Sequence, residues 1–516
     1  MEVTVFGNCK VALCYTDGKK SAVYEERKCI TEGDTASFEM PDPEKFSAVW
    51  IRVEGLEQGC YLRNIVFGSE VEVQQDVQIA VVICTCRREK EVIGNLERIS
   101  RMEQEYRPEV FLIDNGNTLT EEMIPDWVHL VLNRNCGGAG GFTRGMIEAL
   151  KIPEFTHVIL MDDDIVLNPD VLKKTELFLS VVKKKWQKAP LGGSLIERDV
   201  PWNQFECGAL WNRGKIQGGR QNLDLRKPET LLENAKIENW DYGGWWYCCI
   251  PVPSIREKGL PLPVFIHRDD IEYGLRVGRG RFILINGICI WHEAFAGKMP
   301  GMLDYYDIRN EAIINAIQCP DYTKEDFKKA VKRAIWVNIS RYRYKYIEYN
   351  YRAAEDFCKG IDWLLETDSE KLHKELIGMN YKAKKIEDYI GYKGLTEEEL
   401  VSGEQGDYKL PFISRLLHKI TLNGYFFPVK KDKVTVNAPY GSVYKLFRIG
   451  EYIVTDNYQN AIYIARDRKE FFRGRKVMKQ AMKLIDEKYD AAAKSYRERY
   501  KELVSEDFWK KYLGID

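Results

Sequence analysis

Short apolar runs and amphipathic stretches alternate between residues 78 and 164. Ile79–Thr85 (IAVVICT), Glu109–Asp114 and the run 127–132 carry almost no polar interruption, so they read as strands buried on both faces. Residues 92–102 repeat their apolar positions at the helical period. A βαβαβ alternation of this kind predicts a parallel sheet with helices on both faces. A further strand, His157-Val158-Ile159-Leu160-Met161, runs straight into Asp162, Asp163 and Asp164. Adjacent carboxylates cannot share a dry interior, so the strand is expected to stop at Met161 and leave the acids on the carboxyl edge of the sheet. The glycine-rich stretch 133–145 reads as a loop, followed by a short helix at 146–150.

The flanks are patterned differently. Runs at 11–15, 48–53 and 61–67 are split by Gly, Asp and Pro turns, which predicts a β-sandwich over residues 1–76. The middle section spans 77–318. Beyond it, 319–516 reads as mainly helical, with helices at 322–350, 353–366, 369–376 and 475–503 and a small β-rich stretch at 433–466. Thr323 followed by Asp326 marks a helix start at which each side chain caps the other's backbone.

Composition narrows the class. A net charge of −1 over 516 residues gives no general attraction to nucleic acid. The 13 cysteines are odd in number and lack paired C-x-x-C knuckles, so they read as reduced core thiols, not as bridges or zinc ligands. No apolar run reaches bilayer length and no signal-peptide pattern opens the chain, so a cytoplasmic location is expected. Residues 411–516 hold 22 lysines and arginines against 13 acids. That excess suits either a solvated helix face or contact with the anionic inner face of the cell membrane.

The polar signals fall just after strands. Thr85–Arg87, Asp114–Gly116, Asn135–Gly141 and Asp162–Asp164 would line one sheet edge, the geometry of a nucleotide site. Neither G-x-G-x-x-G nor a phosphate-loop motif occurs there, which disfavours a dinucleotide dehydrogenase or a P-loop NTPase. Three neighbouring carboxylates repel unless a cation or donors offset them, and a divalent metal with a phosphorylated ligand would do so. The alternative is an acidic turn into a helix capped by Asn168 and Pro169. The aromatic cluster 239–247, with Trp245 and Trp246, suits stacking on a sugar face or plain core packing. Asp269 and Asp270 open a helix, where acids can cap amides or serve as a general base. His292 ends a strand and offers a neutral imidazole to a metal.

In order along the chain, these parts resemble the inverting GT-A glycosyltransferases, and among them the bacterial galactofuranosyltransferases. The resemblance rests on Thr85-x-Arg87, Asp114-Asn115-Gly116, the Asn135–Gly141 glycines, Met161–Ile165, Trp245-Trp246-x-Cys248, the Pro261–Arg276 segment, Trp291-His292 and Arg309-Asn310. It implies a GT-A central domain (the nucleotide-diphospho-sugar transferase α/β fold) between an N-terminal β-sandwich and a C-terminal mainly helical domain. It further implies that Arg87, Asn115 and Asn135 contact the uridine diphosphate end of a UDP-sugar donor. Asp162, Asp164 and His292 would hold Mn²⁺ or Mg²⁺, and Asp163 would touch the donor sugar or ribose. Asp270 would take the acceptor proton, with Asp269 positioning the acceptor. Trp245, Trp246 and Glu206 would line the acceptor site. Asp307 stands where mycobacterial members carry a histidine near the acceptor, and the N-terminal region looks shorter.

The activity so implied is transfer of galactofuranose from UDP-galactofuranose to a growing, possibly lipid-linked surface glycan, with inversion to a β-linkage. Two alternatives stay open: a different donor, such as UDP-galactopyranose or a dTDP-rhamnose, and a non-catalytic glycan-binding protein. A homo-oligomer is compatible with either.

Overall fold

The computed structural model describes residues 1–516 except 30–32, 43–44, 237, 294–298, 300, 403–409, 431–433 and 516. Its centre is a nine-stranded sheet built from β1 (Ile79–Thr85), β2 (Glu109–Asp114), β3 (Val128–Leu132), β4 (His157–Asp162), β5 (Leu191–Glu197), β6 (Asn203–Glu206), β7 (Leu223–Asp224), β8 (Cys248–Pro251) and β9 (Ile283–His292). The order is β7-β6-β5-β8-β4-β1-β2-β3, and β9 runs parallel beside β5. Strands β3, β2, β1 and β4 are parallel, and β8 lies antiparallel to β4. Register aligns the polar strand ends: Asp162 sits opposite Cys84, Thr85 opposite Asp114, and Glu197 opposite His292. The α/β class expected from the sequence, with its GT-A centre, N-terminal β region and helical C-terminal region, is the one observed.

Helices α1 (Glu89–Ile99) and α2 (Gly137–Leu150) cover the sheet. The second corrects the sequence reading, because the glycine-rich stretch is itself helical. Helix propensity argues against five glycines in one helix, but tertiary packing requires them. A Cβ on Gly141 would lie 2.1 Å from Cys84 Sγ, and one on Gly145 would lie 2.1 Å from Val82 Cγ1. These two positions, four residues apart, form one face that lets the helix lie directly on β1.

At the N-terminus, six strands form two antiparallel three-stranded sheets around a small core that includes Val3, Val5, Val11, Leu13 and Phe38. The C-terminal region holds α5 (Lys324–Ser340), α6 (Tyr344–Cys358), α7 (Phe412–Ile420), α8 (Arg468–Leu503) and α9 (Glu506–Leu513), preceded by α3 (Asp269–Gly278) and α4 (Leu303–Gln318) of the middle section. Thr323 and Asp326 cap α5 reciprocally, as expected. The last long helix begins at Arg468, earlier than the pattern suggested. The small β-rich stretch contributes three strands between 434 and 465, and its expected first residue, Lys433, lies outside the described residues. These helices share one core with the sheet: Trp509 of α9 is fully buried, and its Nε1 donates to the Pro261 carbonyl at 2.8 Å. All thirteen cysteines are free thiols. Among the described residues no helix is long and apolar enough to cross a membrane.

Candidate active site

The acidic run ends β4, and His292 ends β9, with β8 and β5 between the two strands. One carboxylate oxygen from each of Asp162 and Asp164 and one ring nitrogen of His292 all lie within 4.8 Å of one another. His292 Nδ1 donates to the Glu293 carbonyl at 2.5 Å, which leaves Nε2 facing Asp164 Oδ1 at 3.2 Å. That bond fixes the ring orientation, as second partners of metal-binding histidines do. Burial pushes the Asp162 carboxyl up to about 7, and the charges of Asp164 and Asp163 add to the shift. For His292, burial opposes the charged form, but the Asp164 bond and charge outweigh it and raise its pKa. Two oxygens and one imidazole nitrogen suit Mn²⁺ or Mg²⁺, whose charge would offset the crowding of acids.

Asp163 makes bonds of its own. Its carboxylate accepts from Thr85 Oγ1 at 2.7 Å and from Arg88 Nη1 at 3.1 Å, and it is buried. Arg88 also pairs with Asp164. Asn95 of α1 donates to the carbonyls of Asp163 (3.2 Å) and Ile165 (2.9 Å), pinning the turn. A donor contact from the middle acid would compete with these bonds. Arg88, next to the expected Arg87, is the arginine joined to the acidic run; Arg87 is exposed in a left-handed conformation (φ 59°).

Asn115 departs from the expected donor contact. It is buried, its Nδ2 donates to the Gly137 carbonyl at 3.0 Å, and its Oδ1 accepts from Asn133 at 2.8 Å. With both ends engaged it ties the ends of β2 and β3 to the start of α2, and a donor contact from it would have to share these bonds. Asn135 Oδ1 accepts from the Gly137 amide at 3.0 Å, which sets the start of α2, while its side chain stays half-buried at the edge.

Across the edge, α3 begins at Asp269 and Asp270. The loop before it is strained: Phe265, His267 and Arg268 all have positive φ (75°, 62° and 66°). Helix α4 holds it in place. Arg309 donates to the Val264 carbonyl, and Asn310 Nδ2 donates to those of Ile266 (2.9 Å) and His267 (2.7 Å). The Phe265 carbonyl accepts from the Ala139 amide of α2 at 3.1 Å. Burial raises both acids, and their mutual repulsion adds for Asp269. Glu206, also buried, is pushed up to about 7; Gln221 bonds it at 2.8 Å, and the charge of Asp270 reaches it. Asp307 accepts from His267 Nδ1 (3.1 Å) and Arg268 Nε (3.2 Å), so it braces the same loop.

The tryptophans do not line an open acceptor site. Trp245 is 5 % exposed and packs edge-on against Phe142 and Tyr273. Trp246 is 9 % exposed, and its Nε1 donates to the Gly193 carbonyl at 2.8 Å. Both are core, and neither offers a sugar-stacking face. The sequence also gave no hint that Tyr458, at a turn of the C-terminal sheet, donates to Glu293 at 2.9 Å beside His292. Contacts so remote in sequence leave no local signal.

The fold and the edge cluster thus define an α/β protein of GT-A type with a candidate metal site. No family model matches the chain. It is a distant homologue of the galactofuranosyltransferases GlfT2. It is 24% identical over 424 residues to that of Mycolicibacterium smegmatis, covering 73% of this chain and 62% of that protein. With that of Mycobacterium tuberculosis it shares 27% over 263 residues, covering 46% of this chain and 40% of that protein. The chain therefore spans less than two thirds of the length of either. Among solved structures, Staphylococcus aureus TarS 1–349 in complex with UDP aligns at TM-score 0.33 and 10% identity, over 60% of this chain and 94% of that one. The mannosyltransferase PcManGT of Pyrobaculum calidifontis, in complex with GDP-Man and Mn²⁺, aligns at 0.32 and 11%, over 60% and 83%.

Proposed function

We propose that this chain is a metal-dependent, inverting glycosyltransferase that moves galactofuranose from UDP-galactofuranose to a hydroxyl of a growing surface glycan. The observation that carries the reading is the convergence of Asp162, Asp164 and His292 within 4.8 Å, from two strands separated by over a hundred residues. The distant similarity to galactofuranosyltransferases supports the choice of donor.

Asp162, Asp164 and His292 would hold Mn²⁺ or Mg²⁺, which would neutralise charge on the departing diphosphate. Arg88 and Thr85 keep Asp163 turned inward, so that Asp162 and Asp164 present their oxygens to the edge. Arg87, which is exposed, and Asn135, which is half-buried, would contact the donor's uridine diphosphate. Asp270 takes the proton of the attacking hydroxyl, and Asp269 helps seat the acceptor. Glu206, protonated more readily than an ordinary glutamate, can donate a hydrogen bond to that sugar. One base and no protein nucleophile give a single displacement, so an α-linked donor yields a β-linkage.

A panel of UDP-galactofuranose, UDP-galactopyranose and dTDP-rhamnose, each with Mn²⁺ and furanoside acceptors, tests the reading through nucleotide diphosphate release. Release chiefly from UDP-galactofuranose supports it; preference for another donor replaces the substrate, and no release at all removes the activity.

The expected membrane contact is best placed on α7 rather than on the long basic helix. Phe412, Ile413, Leu416, Leu417 and Ile420 repeat along one face and are all exposed, from 45% to 79%. An apolar stripe in a region with a large excess of lysine and arginine suits an anionic bilayer and a lipid-linked acceptor. Flotation with phosphatidylglycerol vesicles tests this: Ile413→Ser with Ile420→Ser should abolish binding, and unchanged binding would move the contact elsewhere.

A further inference from the structure

A cavity of about 640 Å³ opens beside the loop that carries Asp269 and Asp270. Its walls come from the turn at 212–215, from Arg268, from α4 and α5, and from residues 341–343. Its lining has seven cationic and four acidic side chains and none of the expected metal or donor residues.

The four acids are already engaged. Asp326 caps α5 and pairs with Arg213. Asp307 accepts from His267 and Arg268. Asp304 accepts from Asn338 at 2.8 Å, and burial raises its pKa. Glu311 pairs with Arg268 at 3.8 Å and accepts from the Tyr322 hydroxyl at 3.5 Å, and burial pushes it up to about 7. The cations are less well matched. Arg343 is 3% exposed, and its guanidinium donates to the Pro439 carbonyl at 2.6 Å. Arg341 donates to the Gly441 carbonyl at 3.2 Å. Asp304, on the same wall, is the acid whose charge reaches both, and burial holds it above the usual carboxylate range. Arg268 Nη1 and Arg341 Nε are buried with no hydrogen-bond partner.

Two neighbouring guanidinium groups, one buried and one half-buried, that share a single carboxylate are costly to keep. The unpartnered buried atoms on this wall are all N–H donors. A ligand that satisfies them must bring acceptors and negative charge, and the planar forks of arginine match an oxyanion.

We propose that this cavity binds an oxyanion carried by the acceptor glycan, a phosphate ester or a uronic carboxylate. The position of that group next to the reacting hydroxyl rests on the glycosyltransferase reading above. Arg268 makes the link, since its side chain lines the cavity while its backbone leads into Asp269 and Asp270. The site thereby selects acceptors that present an anion near the sugar to be extended.

The test has two arms. In the first, acceptors of identical sugar sequence bear a phosphate, a uronic carboxylate or neither, and KM for each is measured at low salt. The anionic acceptors should show KM at least tenfold lower, and whichever of them does so names the group. Arg341→Gln and Arg343→Gln should erase that preference, leave the KM for the UDP-sugar unchanged, and be partly rescued by Arg341→Lys. No preference, or equal weakening of neutral and anionic acceptors, overturns the proposal. In the second arm, which needs no turnover, calorimetry follows inorganic phosphate and glucuronate. Saturable binding lost in Arg341→Gln supports the site, and absence of saturable binding of either anion to the wild type overturns it. If no donor is turned over but the second arm succeeds, the anion site stands and the glycosyltransferase reading falls.

Discussion

Arg309 Nη2 lies 2.6 Å from the carbonyl oxygen of Val264, and Arg309 itself is fully buried. Tyr305 and Tyr306 pack under its guanidinium, each with the ring centroid 5.1 Å away. One donor of this buried cation holds the loop backbone, while the others reach Asn310 Oδ1 at 2.9 Å and the Tyr305 hydroxyl at 3.3 Å. The next residue, Asn310, reaches two further carbonyls of the same loop. This buttress keeps Phe265, His267 and Arg268 in the left-handed region, at a cost of about 1–3 kcal/mol each.

Asn310→Ala should let that loop relax and shift Asp269 and Asp270. A displacement near 1 Å lowers turnover by about a hundredfold. UDP affinity in the presence of Mn²⁺ should stay unchanged, because Asn310 touches neither edge ligand. Turnover and calorimetric UDP binding on one preparation check both halves.

If Asp270 is the base proposed above, Asp270→Asn removes it while keeping size and shape. Turnover should fall by about 10²–10⁴-fold with donor binding retained. Burial is the main cause that lifts the Asp270 carboxyl to about 6. The base works only when ionised, so activity should be full above that range and fall as pH drops through about 6. A turnover profile flat from pH 5 to 8 would contradict the assignment.

Gly141→Ala tests the glycine face of α2. Alanine favours a helix by about 1 kcal/mol over glycine. Its methyl would sit 2.1 Å from Cys84 Sγ, however, and overpacking costs about 1–3 kcal/mol. The steric cost should win and lower the denaturation midpoint. At Gly94 in α1 a methyl meets nothing nearer than Arg98 Nη1 at 3.5 Å, so Gly94→Ala should raise it.

Much of this was legible in the chain, for identifiable reasons. Strands β1, β2 and β4 are continuous apolar runs, and a carboxylate triplet has to leave the interior, so the edge with Asp162 and Asp164 followed; His292 joined them only through the resemblance to galactofuranosyltransferases. The helical state of 137–150 did not follow, because the glycines answer to Val82 and Cys84 on another strand. Trp245 and Trp246 beside glycines fitted core and sugar platform equally well; only their burial decides. The bonds from Arg88 to Asp163 and Asp164 were not legible, because Arg87 takes a left-handed backbone beyond the strand end and so redirects the residue after it. The convergence of Arg268, Arg341 and Arg343 on one cavity depends on how α4, α5 and the loop after α5 pack together.

The most direct measurement is UDP affinity by calorimetry with and without Mn²⁺, for the wild type and His292→Ala. The account predicts that metal removal weakens UDP binding by about tenfold or more, equivalent to about 1.4 kcal/mol. It predicts that His292→Ala loses most of the metal-dependent gain. Equal UDP affinity in chelator and in Mn²⁺, unchanged by the substitution, would contradict a cation site at Asp162, Asp164 and His292.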